Sequence, residues 1–123
     1  MSHDKATKDF AKFRPLTQQE TEILRVLLGT QFPGQPELIE QLAYVSAHQI
    51  DSDGSLEFGP IDGPRARVVR RIPVEAEEED QDGVTIHVLL HVLDGLMREL
   101  EVYREDSAPV ISLEPRRLRV MVL

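Results

Sequence analysis

Apolar residues recur along this chain in two periods, and the switch between them separates a helical front from a sheet-forming remainder. Ile23, Leu24, Leu27 and Leu28 fall on one stripe at helical spacing. Thr17 and Glu20 precede them as a T-x-x-E capping box. Its hydroxyl accepts the Glu20 backbone N–H while the glutamate reaches back. Gly29 offers a left-handed stop for this helix. After the connector TQFPGQ, Pro36 suits the first turn of a second helix, where its missing N–H would be unpaired anyway. Leu38, Ile39, Leu42 and Ala43 repeat the stripe. Two such helices can pack together on one sheet face.

From Tyr44 the spacing becomes that of strands. Tyr44 to Ile50 and Ser55 to Phe58 flank the turn Asp51-Ser52-Asp53-Gly54, and Gly59 to Pro64 is a loop. Arg65 to Ala76 reads as a longer strand, with Val68, Arg70, Ile72, Val74 and Ala76 on one face. Pro73 cannot donate to a ladder, so this strand is expected at an edge or bulged. Glu77 to Gly83 reads as an acidic turn, Glu105 to Pro109 as a loop, and Val110 to Leu113 and Leu118 to Leu123 as short closing strands.

The longest alternation, Val84 to Arg104, is a hairpin turning at Asp94-Gly95. Loop length decides which side chains share a face. A regular two-residue loop sets Glu99 and Glu101 beside Leu90 and Val88, burying carboxylates at high cost. A three-residue loop, Leu93-Asp94-Gly95, is therefore expected. It joins Val84, Ile86, Val88, Leu90 and Val92 to Leu96, Leu100 and Val102 on a core face. The other face then carries Thr85, His87, Leu89 and His91 beside Met97, Glu99, Glu101 and Tyr103. The expected architecture is α+β: two N-terminal helices packed on one face of a mostly antiparallel, meander-like β-sheet. Residues 1–14 are expected to form a flexible arm that Phe10 and Phe13 could pin to the body, and residues 15–123 a single domain.

Composition changes this picture in a few places. A chain of 123 residues fits one domain. No apolar run has the length of a membrane span, and the start lacks the apolar region of a secretory signal. The absence of cysteine excludes disulfides, thiolate metal sites and cysteine nucleophiles, and fits a cytoplasmic setting. The formal charge of −8 argues against nucleic-acid binding. All three lysines lie in the first twelve residues, and every later cation is arginine.

Four stretches carry a family resemblance: RPLTQQE (14–20), QFPGQPEL (31–38), IPVEAE (72–77) and DGVTIHVLLHVLDGLMRELEVYR (82–104). Together they resemble a family of small bacterial proteins built on a domain of unknown function, frequent in actinobacteria, with an LLHVxDGxxxELExYR hairpin motif. Members often carry cysteines where this chain has Ile50 to Ser55, so no cysteine-based role transfers. The resemblance implies a bacterial origin and a shared fold, and brings no activity or catalytic residues with it.

Candidate chemistry concentrates on the polar hairpin face. Asp51-Ser52-Asp53-Gly54 is no calcium loop: aligned on Gly54, positions one and twelve are Gln49 and Pro60, where an acidic ligand and a bidentate glutamate are needed. His87 and His91 stand about 13–14 Å apart along a strand, too far to share a metal. His87 with Glu101, or His91 with Glu99, is a better pair and could serve as a general base in a cleft walled by Tyr103 or Tyr44. A solvated sheet face is the plainer interpretation of the same residues. The acidic run Glu75 to Asp82 could steer a basic partner, although such runs are commonly solvated loops. There is no phosphate loop and no nucleophile elbow. The leading expectation is a non-enzymatic protein-interaction module of the accessory or immunity type, without cofactor or metal. The alternative is a small-ligand or metal-binding protein, or a hydrolase-like enzyme, using His87, His91, Glu99, Glu101 and Tyr103. A homo-oligomer joined through the polar face is a third possibility; neither nucleic acid nor membrane is an expected partner.

Overall fold

The computed structural model describes residues 12–123. Its elements are β1 (Arg14–Pro15), α1 (Gln18–Leu27), α2 (Gln35–Gln41), β2 (Ser46–Gln49), β3 (Leu56–Phe58), β4 (Val74–Glu79), β5 (Thr85–Leu93), β6 (Leu96–Arg104) and β7 (Arg119–Val122), with a 3-10 turn at Pro115–Arg117. The seven strands form one sheet in the order β1-β2-β3-β6-β5-β4-β7, antiparallel at every pairing. Two consecutive runs, β1-β2-β3 and β4-β5-β6, meet where β3 pairs with β6. The fold is the expected α+β arrangement, with N-terminal helices and a meander-like sheet.

One face of the sheet is the core wall. It presents Leu56 and Phe58 from β3, Val74 and Ala76 from β4, Ile86, Val88, Leu90 and Val92 from β5, and Leu100 and Val102 from β6. Ile23, Leu24, Leu27 and Leu28 of the α1 stripe, together with Leu38 of α2, belong to the same buried cluster. The capping box forms as expected: Glu20 N donates to Thr17 Oγ1 at 3.1 Å, and Thr17 N donates to Glu20 Oε1 at 2.9 Å. Arg14 clamps the same glutamate through both Nη atoms, at 2.8 and 3.0 Å. Arg14 therefore belongs to the sheet, paired in β1 with Ala47, and not to the arm. Residues 1–11 of that arm, Phe10 among them, lie outside the described residues.

Several boundaries differ from expectation for identifiable reasons. Gly29 is not left-handed: α1 closes at Leu28, whose N–H bonds Leu24 O, while Gly34 takes positive φ (91°) at the entry to α2. The α2 stripe is displaced. Ile39 is exposed, and Gln41 is fully buried in its place. Its Nε2 donates to Pro64 O and Gly95 O, both at 2.8 Å, and its Oε1 accepts Met97 N at 3.0 Å, so α2 is riveted to the hairpin turn by one amide. The strand expected from Arg65 to Ala76 starts only at Val74, because residues 65–73 run as a loop over the hairpin end. It then continues through Glu79, into the stretch expected to be a turn. Alternation survives there as Val74, Ala76 and Glu78 inward, with a buried glutamate in an apolar position. Pro73 stands just before β4, where it removes no ladder bond.

Val110 to Leu113 pairs with no strand. Carboxylates receive its amides instead: Val110 N donates to Asp53 Oδ1 at 2.8 Å, Ile111 N to Asp80 Oδ2 at 2.8 Å, and Ser112 N to Asp80 Oδ1 at 3.0 Å. The last segment does close the sheet, as β7 beside β4.

Candidate functional site on the open sheet face

The geometry of this face follows from the β5–β6 turn. Asp94 and Gly95 both have positive φ (54° and 79°), and Leu93 pairs with Leu96, so the loop has two residues and not three. A Cβ on Gly95 would lie 2.8 Å from Arg65 Cβ and 2.9 Å from Ala66 O, so only glycine fits beneath the crossing loop. The odd residue enters further on. Val92 pairs with Met97 but His91 pairs with Glu99, leaving Arg98 as a β-bulge. Met97, expected on the open face, is consequently buried, and Leu96, expected in the core wall, is half-buried opposite Leu93. Beyond the bulge the faces sort as the buried-carboxylate argument required. Leu90 faces Leu100 and Val88 faces Val102, while Glu99 and Glu101 stand with the histidines.

No helix stripe covers this second face. Glu57 of β3, Glu75, Glu77 and Glu79 of β4, and Glu99 and Glu101 of β6 alternate with core residues and point away from the helices. Arg119 of β7 fastens that edge by a bidentate pair to Glu79, at 3.1 and 2.7 Å.

The five candidate residues form two clusters. In the first, His91 Nε2 lies 2.9 Å from Glu101 Oε1, the diagonal neighbour rather than the facing Glu99. Arg71 Nε donates to His91 Nδ1 at 3.4 Å. These contacts assign the tautomer: the proton is on Nε2 facing the carboxylate, and the Nδ1 lone pair faces the guanidinium. His91, Glu99 and Glu101 each bring one ligand-type atom within 4.8 Å of the others, and all three are half-buried. In the second cluster, His87 stacks on Tyr103 with centroids 4.9 Å apart and planes 20° apart. Its Nε2 meets Glu105 Oε1 at 3.0 Å, and Glu77 lies 3.9 Å from its Nδ1. Burial, with the charges of Glu101, Glu75 and Glu105, raises the Tyr103 phenol and keeps it protonated.

His87 with Glu101 and His91 with Glu99 are thus not the hydrogen-bonded pairs: each imidazole reaches the glutamate two residues beyond its facing residue, Glu105 beyond Tyr103 and Glu101 beyond Glu99. Tyr44 lies at the far end of α2 and is exposed, away from both clusters. Sequence reasoning missed Arg71, because residues 65–73 run as a loop and the sequence does not mark where a loop side chain lands. Glu77 was hidden in the supposed turn, and Glu105 in a loop. Three grooves among the described residues, of about 530, 280 and 210 Å³, are lined by other residues than His87, His91, Glu99, Glu101 and Tyr103. The largest of these three lies between the helices, bounded by Arg25, Leu28, Ile39 and Leu42.

A second charged cluster, on the core side, also went unread. Arg104 faces Ile86 at the end of the hairpin and is buried. It bonds Asp80 at 3.0 Å, Asp82 at 2.9 Å and Asp106 at 2.8 Å. Burial pushes Asp80 up, but the amides of Ile111, Gln81 and Ser112 and the Arg104 guanidinium outweigh it and hold the carboxyl at about 2. Every donor of this knot stays within the fold, so its role is architectural.

Residues 13–114 match the family described as a domain of unknown function, DUF6984, and the chain belongs to that family. Comparison with curated proteins and with solved structures finds no match. No helix among the described residues is long and apolar enough to cross a membrane.

Proposed function

We propose that this protein is a non-enzymatic interaction module that docks a basic protein partner on the open face of its sheet. The observation that carries the reading is the alignment of Glu57, Glu75, Glu77, Glu79, Glu99 and Glu101 on a face that no helix stripe covers. A rigid surface on which carboxylates outnumber the cations Arg71 and Arg119 raises the rate of encounter with a basic partner and disfavours acidic ones. His87 and His91 are half-buried among neighbouring side chains on a face that no helix stripe covers, which suits a docking surface better than an enclosed reaction site. On this reading the protein acts in a bacterial cytoplasm in an accessory or immunity role, consistent with its lack of cysteine.

The test is affinity capture from the source organism, comparing the native chain with a Glu57→Lys/Glu75→Lys double variant. The expected result is a partner of basic isoelectric point, retained by the native chain at low salt and lost by the variant. A captured set that the charge reversal leaves unchanged would remove the open face from the account. A monomer–dimer equilibrium abolished by the same variant would favour pairing of two copies instead.

A further inference from the structure

We propose that His91, Glu99 and Glu101 form a binding site for a divalent transition-metal ion, with Zn²⁺ as the best-matched chemistry. The site would hold on the isolated protein whether or not the open face docks a partner.

Three observations converge. First, the donor set is mixed. One imidazole and two carboxylates are ligands of Zn²⁺, which takes nitrogen and oxygen donors in tetrahedral geometry and accepts water in a remaining position. Calcium would need about six to eight oxygen ligands, and magnesium an octahedron of them. Second, the ligands are preorganised. All three stand on β5 and β6, paired strands in the middle of the sheet, and their ligand atoms already lie within 4.8 Å of one another. Donors bound to one zinc at roughly 2.0–2.2 Å stand about 3.3–3.5 Å apart, so small χ rotations close the gap. Third, the bulge at Arg98 is what brings Glu99 opposite His91 while Glu101 stays diagonal to it. Without that extra residue no triangle of donors exists, and bulges commonly re-aim side chains at sites.

Arg71 is the competitor. A metal on His91 Nε2 displaces the proton that now faces Glu101, and the ring then carries its proton on Nδ1. That proton meets the Arg71 Nε–H, now 3.4 Å away, donor against donor. Arg71 is exposed, on the loop over residues 65–73, so it can swing off. It holds the metal-free arrangement and weakens binding through its charge.

This opposition gives the test a signature that a generic acidic surface does not share. Zn²⁺ is titrated calorimetrically into the full chain in a non-chelating buffer with excess Mg²⁺, and Co²⁺ binding is followed by its visible absorption. The expected result is one saturable ion per chain, undisturbed by Mg²⁺. His91→Ala should weaken binding by more than about a hundredfold, beyond the roughly 10–100-fold lost with an outer-shell partner. Glu99→Gln, which leaves a neutral amide oxygen in place of the carboxylate, should cost at least about tenfold, the lower bound for an outer-shell partner. Arg71→Ala should tighten binding several-fold. Melting curves in chelator confirm that each variant is folded. No saturable binding, binding indifferent to His91→Ala, or weaker binding in Arg71→Ala would each overturn the site. Capture of a basic partner bears on the docking reading alone.

Discussion

Two clusters of charge sit on opposite faces of β6, one around Arg104 on the core side and one around Glu99 and Glu101 on the open side, and their contrast separates structure from candidate function. On the core side, the Asp80 side chain is fully buried, and its two oxygens take Arg104 and the amides of Gln81, Ile111 and Ser112. On the open side, His91 has a single good hydrogen bond, to a glutamate that is itself 40 % exposed, and one long contact from Arg71. Buried charge persists only when every lone pair is satisfied, so the first cluster is closed to any ligand. The second is half-wet and under-bonded, and has capacity to spare.

The largest expected effect probes the closed side. Asp80→Ala should remove about 3–5 kcal/mol, because it leaves Arg104 buried without that partner and the amides of Gln81, Ile111 and Ser112 without their acceptor. Chemical denaturation measures it; a loss comparable to that from a surface ion pair would erase the contrast. Gln41→Ala should follow at about 2–3 kcal/mol, since the buried Met97 N–H loses its acceptor. Its signature is faster hydrogen exchange at Met97 and around Gly95.

Acid should sharpen the comparison further. Asp80 is held at about 2, below its unfolded value. Its stabilisation is therefore complete above about pH 4, the unfolded carboxyl range, and is lost as pH falls through about 2. Asp106, held at about 2 chiefly by Arg104, adds to the same window. Glu78 runs the other way. Burial raises it, against the Glu114 amide and the charge of Arg117, so the folded chain takes up this proton first and Glu78 opposes folding more as pH rises. Asp80→Asn should flatten the stability profile between pH 4 and 2, and Glu78→Gln should leave the melting point at neutral pH unchanged or raised. A lowered value for Glu78→Gln would mean its charge is structural.

The smallest effect belongs to the open side. His91→Ala should change stability by less than about 1 kcal/mol, as expected for an exposed or half-exposed pair. A loss as large as that of Asp80→Ala would place His91 among the structural residues and undo the distinction.

What was legible in the sequence follows the same division. The capping box at Thr17, the Ile23–Leu28 stripe and the alternation of β5 were readable because apolar and polar residues there match their surroundings. Glu78, Asp80, Gln41 and Arg104 were not, since a buried polar group carries no mark in the sequence of the partners that satisfy it. That is why β4 was hidden in an acidic run, and why the Val110–Leu113 segment read as a strand: its extended amides bond to Asp53 and Asp80 in place of a neighbouring strand. The cost of burying Glu99 and Glu101 predicted an odd residue in the hairpin, but it could not say whether that residue sits in the turn or after it. Arg98 sits after it.

The bulge at Arg98 is therefore the hinge of the account, since it sets the glutamates beside His91 rather than in the core. Cross-strand Hα–Hα contacts across β5 and β6, measured by nuclear Overhauser spectroscopy, test it directly. Facing pairs before and after the bulge, Val92 with Met97 and Leu90 with Leu100, are the predicted register. Contacts placing Leu90 opposite Glu99 would contradict it, returning both carboxylates to the core face and dissolving the site.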